Sequence, residues 1–213
     1  GDKKKAQMAF SAASKMSFDP DVQEEALFNF AKLAYENSYA PFGEGIDALH
    51  NYIRTYPDSE HVSEAYDYLI SAYMRLKNYQ AALNSLEKIS SKDDRLKEAY
   101  QKVAYFRGIE QFRNRQYAEA VSMFDRSLTY KERNPDLYAR ALYWRGESNY
   151  RLGNNNGAVS DWENFRKLPA ASSMDEYELT DYNLGYIWYN SGDYAKALPH
   201  FMAYVNRADQ SER

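Results

Sequence analysis

The chain has 213 residues, a net charge of −4 at pH 7, no cysteine, and an aromatic share of 16% that includes 21 tyrosines. The lack of cysteine excludes disulfide and thiol chemistry. Lys3-Lys4-Lys5 is the only basic run, too short for a phosphate-binding stripe, so nucleic acid is not expected as a partner. No apolar stretch approaches the roughly 20 residues of a membrane-spanning helix, so this segment is not expected to insert into a membrane.

A period organises the chain. Gly108, Gly146 and Gly185 are each followed twelve residues later by an alanine (Ala120, Ala158, Ala197), and four residues further by an aromatic (Phe124, Trp162, Phe201). An internal period in the 30s marks a repeat architecture, and no strand-like alternation competes with the helical pattern, so the expected class is all-α. Each repeat reads as two antiparallel helices, A and B.

The first predicted element is an orphan helix B carrying Ala6 and Phe10 after Gly1-Asp2. The first pair places helix A over Val22–Asn37 and marks helix B by Ala48 and Tyr52, with Tyr39 to Gly43 lengthening the turn. The second pair is His61–Leu76 and Tyr79–Ile89, with Ile70 where later repeats have glycine. The third is Asp94–Asn114 and Tyr117–Tyr130. The fourth is Pro135–Leu152 followed by a helix B ending near Lys167. The last is Met174–Asn190 and Tyr194–Val205, joined at Ser191-Gly192-Asp193; here Gly192 suits a left-handed position and Asp193 an N-cap. Pro199 falls inside that last helix B, where it removes a hydrogen bond and should bend the helix. The domain expectation is one array over 1–213: a half repeat at 1–20, then repeats at 21–59, 60–93, 94–133, 134–173 and 174–213. Because repeats bury their apolar faces against neighbours and no polar capping helix ends this chain, it reads as a segment of a longer array. The alternative is natural termini with an N-terminal capping helix.

These motifs resemble the tetratricopeptide repeat. Leu184-Gly185 with Trp188, Ala197 and Phe201 carries the resemblance best. Arg107-Gly108 and Arg145-Gly146 depart from the pattern where Gln111 and Asn149 replace the aromatic. The resemblance implies a right-handed α-α superhelix, a tetratricopeptide solenoid of about five helix pairs plus the orphan helix, whose helices A line a concave groove. Tyr56-Pro57-Asp58-Ser59 resembles the inter-repeat junction of bacterial envelope proteins of this family, such as outer-membrane assembly lipoproteins and Tol–Pal coordinators. It implies a periplasmic or outer-membrane-associated protein, with the cytoplasm as the alternative.

Two aromatic rows fall on the helix A face, since residues seven apart share a side of a helix: Tyr105, Tyr143 and Tyr182, then Phe112, Tyr150 and Tyr189. Tyr186 adds to them, with Arg75, Arg113 and Arg151 beside the groove. Tyrosine and arginine dominate binding hot spots, so these ten residues are the candidate ligand groove; packing aromatics are the alternative reading. Ile109, Glu147 and Tyr186 follow the glycines where an asparagine clamp for a C-terminal carboxylate would stand, which disfavours that mode. The chain has no phosphate loop or nucleophile elbow, and His50, His61 and His200 are not spaced as metal ligands. Asp93, Asp94, Asp175 and Glu176 read as helix-start charges. No enzyme activity, cofactor or metal is expected. The expected function is a protein–protein interaction scaffold holding a partner protein or peptide. The alternatives are glycan binding on the tyrosine platform, or the recognition arm of an enzyme.

Overall fold

A computed structural model describes residues 2–17, 19–37, 44–89 and 91–211, with side chains through Asn206. Among these residues there is no strand, and the helices are α1 (Lys3–Ala13), α2 (Pro20–Asn37), α3 (Glu44–Thr55), α4 (Val62–Arg75), α5 (Tyr79–Glu87), α6 (Asp94–Arg113), α7 (Tyr117–Leu128), α8 (Pro135–Arg151), α9 (Asn155–Arg166), α10 (Glu176–Asn190) and α11 (Tyr194–Ser211). The fold is all-α, and the alternation of helices A and B follows the period. The lengthened turn expected at Tyr39 to Gly43 lies outside the described residues. Two compact units divide the chain at residues 100 and 101, within α6.

One turn recurs in both units. The amides of Asn78, Gln116, Asn154 and Asp193 donate to the carbonyls of Tyr73, Gln111, Asn149 and Trp188, five residues back, while each preceding amide reaches back three. This double closure is the Schellman end of a helix, and it requires a left-handed residue. Gly153 (φ 76°) and Gly192 (φ 80°) fill that position in the last two pairs, but Lys77 (φ 55°) and Arg115 (φ 62°) fill it in the two before. The residue after it opens helix B. Asn78, Asn154 and Asp193 accept the amides of Ala81, Gly157 and Lys196 on their side chains, satisfying first-turn donors.

In the first unit, α2 and α3 approach closely at Gly45, which is buried on helix B. A β-carbon there would lie 2.6 Å from the α-carbon of Tyr35. Tyr52 is fully buried; its hydroxyl lies 2.6 Å from Ser59 Oγ and donates to Glu24, and burial pushes its phenol up to about 12. Ser59 Oγ also accepts the amide of His61, so Tyr56–Ser59 is anchored to the buried face of α3. On the helix A side, Lys32 pairs with Glu64 at 3.0 Å, and Arg75 lies over the Tyr35 ring.

In the second unit the helix A glycines lie under helix B rings. A β-carbon on Gly108 would meet Phe124 at 2.7 Å, one on Gly146 would meet Trp162 at 2.6 Å, and one on Gly185 would meet Phe201 at 2.8 Å. The alanines Ala120, Ala158 and Ala197 are buried beside them. Pro169 begins a short 3-10 turn, Pro169–Ser173, which packs Ala171 and Met174 into the core of α8 and α9; helix A therefore starts at Glu176, later than Met174. Asp93 caps α6 through the amide of Leu96. Asp175 makes no such bond, and Glu176 instead accepts from Arg140 at 2.8 Å. Helix α11 continues through Pro199, which leaves the carbonyl of Ala195 without its usual helical donor.

Candidate functional site

The helix A side of the second unit is built on α6, α8 and α10. The helical period brings the expected residues to this side, but burial separates them. Tyr105 and Tyr143 are packing residues: Tyr105 stands edge-on to Phe106 and near Phe124, and Tyr143 lies against Phe165 and edge-on to Trp144. Burial pushes the Tyr105 phenol up to about 12 against the pull of Arg140, and it raises Tyr143 in the same sense, reinforced by Glu147. Tyr182 holds the same register but is 45% exposed, and it stacks on Tyr186 with ring centres 6.2 Å apart.

In the second row, Phe112 is half-buried, edge-on to Trp144 and Tyr117. Tyr150 is half-buried against Trp162, and Tyr189 is exposed beside Tyr194. Arg113 and Arg151 end α6 and α8 with exposed side chains, Arg151 4.0 Å from Glu147. Arg75 belongs to the first unit, where it covers the ring of Tyr35. The exposed or half-open members on this side of the second unit are thus Phe112, Tyr150, Tyr182, Tyr186, Tyr189, Arg113 and Arg151.

Between the rows lies a polar seam. Glu147 is largely buried and accepts from Asn183 at 2.7 Å; burial raises its carboxyl above the usual range, against Arg151 and Asn183. Behind it, Asp161 is buried on α9 and receives the fork of Arg145 (3.0 Å to Nε) and the amide of Asn149 (3.1 Å), while Arg145 also reaches Asp125. Asp181, fully buried on α10, pairs with Arg166 and lies 3.0 Å from His200 Nδ1. These ion pairs hold α8 to α9 and α9 to α10 and α11. Spacing gave one hint of them: Asp161 stands three residues past Ala158, on the side of α9 that meets α8. Among the described residues, no three histidines or carboxylates gather as a metal site.

Antiparallel helix pairs at a 38- or 39-residue interval, each closed by the same turn and by a ring seated on a glycine, define a helical-repeat protein. Residues 106–164, from the middle of α6 to near the end of α9, match the tetratricopeptide repeat family. Solved structures show the same fold at low identity. A crystal structure of MamA is 16% identical with a TM-score of 0.51, covering 92% of this chain and 99% of that one. BtubC (BKLC) from P. vanneervenii gives 16% identity and a TM-score of 0.51, covering 100% of this chain and 94% of that one. MamA 41-end from Desulfovibrio magneticus RS-1 gives 17% and 0.50, covering 89% and 97%. No curated protein sequence matches the chain.

Proposed function

We propose that this protein is a non-enzymatic scaffold that holds a partner protein or peptide on the helix A side of its second unit. The observation that carries the reading is the sequence of half-open rings and exposed arginines at the ends of successive helices A: Phe112 and Arg113, Tyr150 and Arg151, then Tyr189. Tyrosine supplies large contact area for little conformational entropy, and arginine supplies a planar fork for carboxylates. The rings rest on a packed interior (Tyr150 on Trp162, Phe112 on Trp144), so their spacing is fixed before a partner arrives. The junction Tyr56–Ser59 supports a cell-envelope setting for this activity, which fractionation of the source cells would test.

The experiment is capture from source lysate by the wild-type chain and by an Arg113→Ala, Arg151→Ala, Tyr189→Ala variant whose helicity matches the wild type. These side chains are exposed, so their loss leaves the core intact. A protein held by the wild type and lost by the variant supports the reading. Equal capture by both moves binding off this side, and a captured partner released by free sugar favours glycan binding.

A further inference from the structure

Pro199 works against its own helix. It removes one hydrogen bond of α11 and crowds the carbonyl of Ala195 four residues back, yet α11 runs on through it. Local rules of this kind are broken mainly where function gains from the breach. Ala195 and Pro199 both line a cleft of about 560 Å³, so the carbonyl that has lost its helical donor is an acceptor at that cleft. The walls come from three helices of the second unit: Glu163 from α9, Trp188 from α10, and Lys196 and His200 beside Ala195 and Pro199 on α11. The cleft is thus framed within the chain, between two successive helices B.

Its charges balance except for one. His200 turns Nδ1 to buried Asp181, which Arg166 also answers, and Lys196 pairs with Asp193 at 2.8 Å. Glu163 is exposed and, among the described residues, makes no ion pair. The chain already uses the ring as a cation platform: Lys196 Nζ lies 4.3 Å from the ring centre of half-buried Trp188. An exposed pair three residues apart holds that ammonium weakly, so it can give way. A carboxylate, an open carbonyl and an indole face all favour a cation and repel an anion. The cleft between α3 and α5 in the first unit is lined instead by Arg54 and Lys88 and has no proline.

We propose that this cleft binds a guanidinium group, with Glu163 and the Ala195 carbonyl as its acceptors and Trp188 as its platform. A guanidinium suits the set better than an ammonium. Its planar fork donates two parallel bonds to a carboxylate and keeps further N–H groups for a carbonyl, while its flat face lies on an aromatic ring. Lys196 stands in for that cation when the cleft is free and is displaced when a ligand enters. The site lies on the helix B side and is independent of the aromatic row on the helix A side.

The test titrates the whole 213-residue chain, labelled with nitrogen-15, and follows the indole N–H signal of Trp188, assigned with a Trp188→Phe variant. The probes are Nα-acetyl-arginine amide and its uncharged isostere Nα-acetyl-citrulline amide. The arginine probe is expected to shift the signal saturably, with half-saturation at about 1–10 mM, and the citrulline probe to bind at least about fivefold more weakly. Glu163→Gln should weaken the arginine probe about fivefold or more, and Lys196→Met should tighten it about threefold. Pro199→Ala returns a donor to the Ala195 carbonyl. It should raise the melting temperature by about 2 °C or more while weakening the probe about threefold, so loss of binding there is not loss of fold. The Arg113→Ala, Arg151→Ala, Tyr189→Ala variant should bind as the wild type does, which separates this cleft from the helix A side. No saturable shift, an equal response to both probes, or binding indifferent to Glu163→Gln or Pro199→Ala overturns the proposal. Two further probes name the source of the group. Tighter binding of acetylated Gly-Gly-Arg-Gly-Gly amide than of agmatine assigns the cleft to an arginine of a polypeptide, and the reverse order assigns it to a free guanidino compound.

Discussion

The two units solve one packing problem with their parts exchanged. In the second, helices A bring glycine to the crossing and helices B bring the ring: Gly108 under Phe124, Gly146 under Trp162, Gly185 under Phe201. In the first, helix B brings the glycine. Gly45 of α3 meets the backbone of α2 at Ala34 and Tyr35, and α4 packs with Ile70 buried where the glycine would be. Charge is exchanged as well. The second unit buries Asp161 and Asp181 under arginine, whereas the cross-helix pair Lys32–Glu64 of the first is about a third exposed at each partner. Close approach of two helices thus uses one missing side chain, from either helix, and the two buried aspartates are each answered by an arginine.

Breaking the charges should separate the units most. Arg145→Met leaves Asp161 buried with only the Asn149 amide, and should cost about 3 kcal/mol or more in denaturant unfolding. Lys32→Met in the first unit should cost under about 1 kcal/mol, as partly exposed pairs do. Adding Asp161→Leu to Arg145→Met should recover most of the loss; a double variant no better than the single would show that the pair is not what holds α8 to α9.

The glycine comparison is sharpened by alanine. Gly146→Ala and Gly45→Ala should each cost about 1–3 kcal/mol, the penalty of overpacking. Gly45 belongs at the upper end, because the obstacle is backbone. Gly185→Ala should cost least, since Phe201 is only half-buried and its ring can give way. Thermal unfolding of the three variants, ranked, checks the order.

The turns give a smaller effect of opposite sign. Lys77 and Arg115 hold left-handed backbone that costs a side-chain-bearing residue roughly 1–2 kcal/mol, and glycine returns part of that gain in chain entropy. Arg115→Gly and Lys77→Gly should therefore each stabilise by about 0.5–1 kcal/mol, one in each unit. The smallest effect is at Glu147. Its carboxyl is raised in the folded protein, so the stability tied to its protonated form is complete below the unfolded value and is lost as pH rises through the folded one. Glu147→Gln should raise the melting temperature relative to wild type at pH 7, and that advantage should disappear in acid.

Much of the fold was legible because the glycine–alanine–aromatic spacing is itself the contact that closes each pair: residue 146 and residue 162 touch. Helix limits were legible within two residues wherever the turn chemistry was explicit, as at Gly192-Asp193, but Pro169 opens a 3-10 turn because Ala171 and Met174 are drawn into the core. Which of the expected groove residues stay exposed was not legible. Tyr143 and Tyr182 share one register, yet Tyr143 is buried in the cluster that α10 completes with Leu184 and Ile187, while Tyr182 stays open. That difference is made by neighbours outside the local pattern. For the same reason the arginine partners of Asp161 and Asp181 were not legible, although the spacing of Asp161 from Ala158 placed it towards α8: an aspartate on a helix reads as solvated until an arginine is placed beside it.

The ring on each glycine has a consequence for how such a chain changes over time. Phe124, Trp162 and Phe201 seat within their own pair, so the size of the ring and the space left for it are matched inside one hairpin of about 35 to 40 residues. A hairpin copied or moved along the chain carries its own fit with it, and only the face it turns to its neighbour must be rewritten. Enlargement at the glycine and reduction of the ring should accordingly arise together, as a linked exchange within one hairpin, while the positions turned to the neighbour change separately from that exchange, as they do from Arg140 to Leu179 and from Arg166 to Val205.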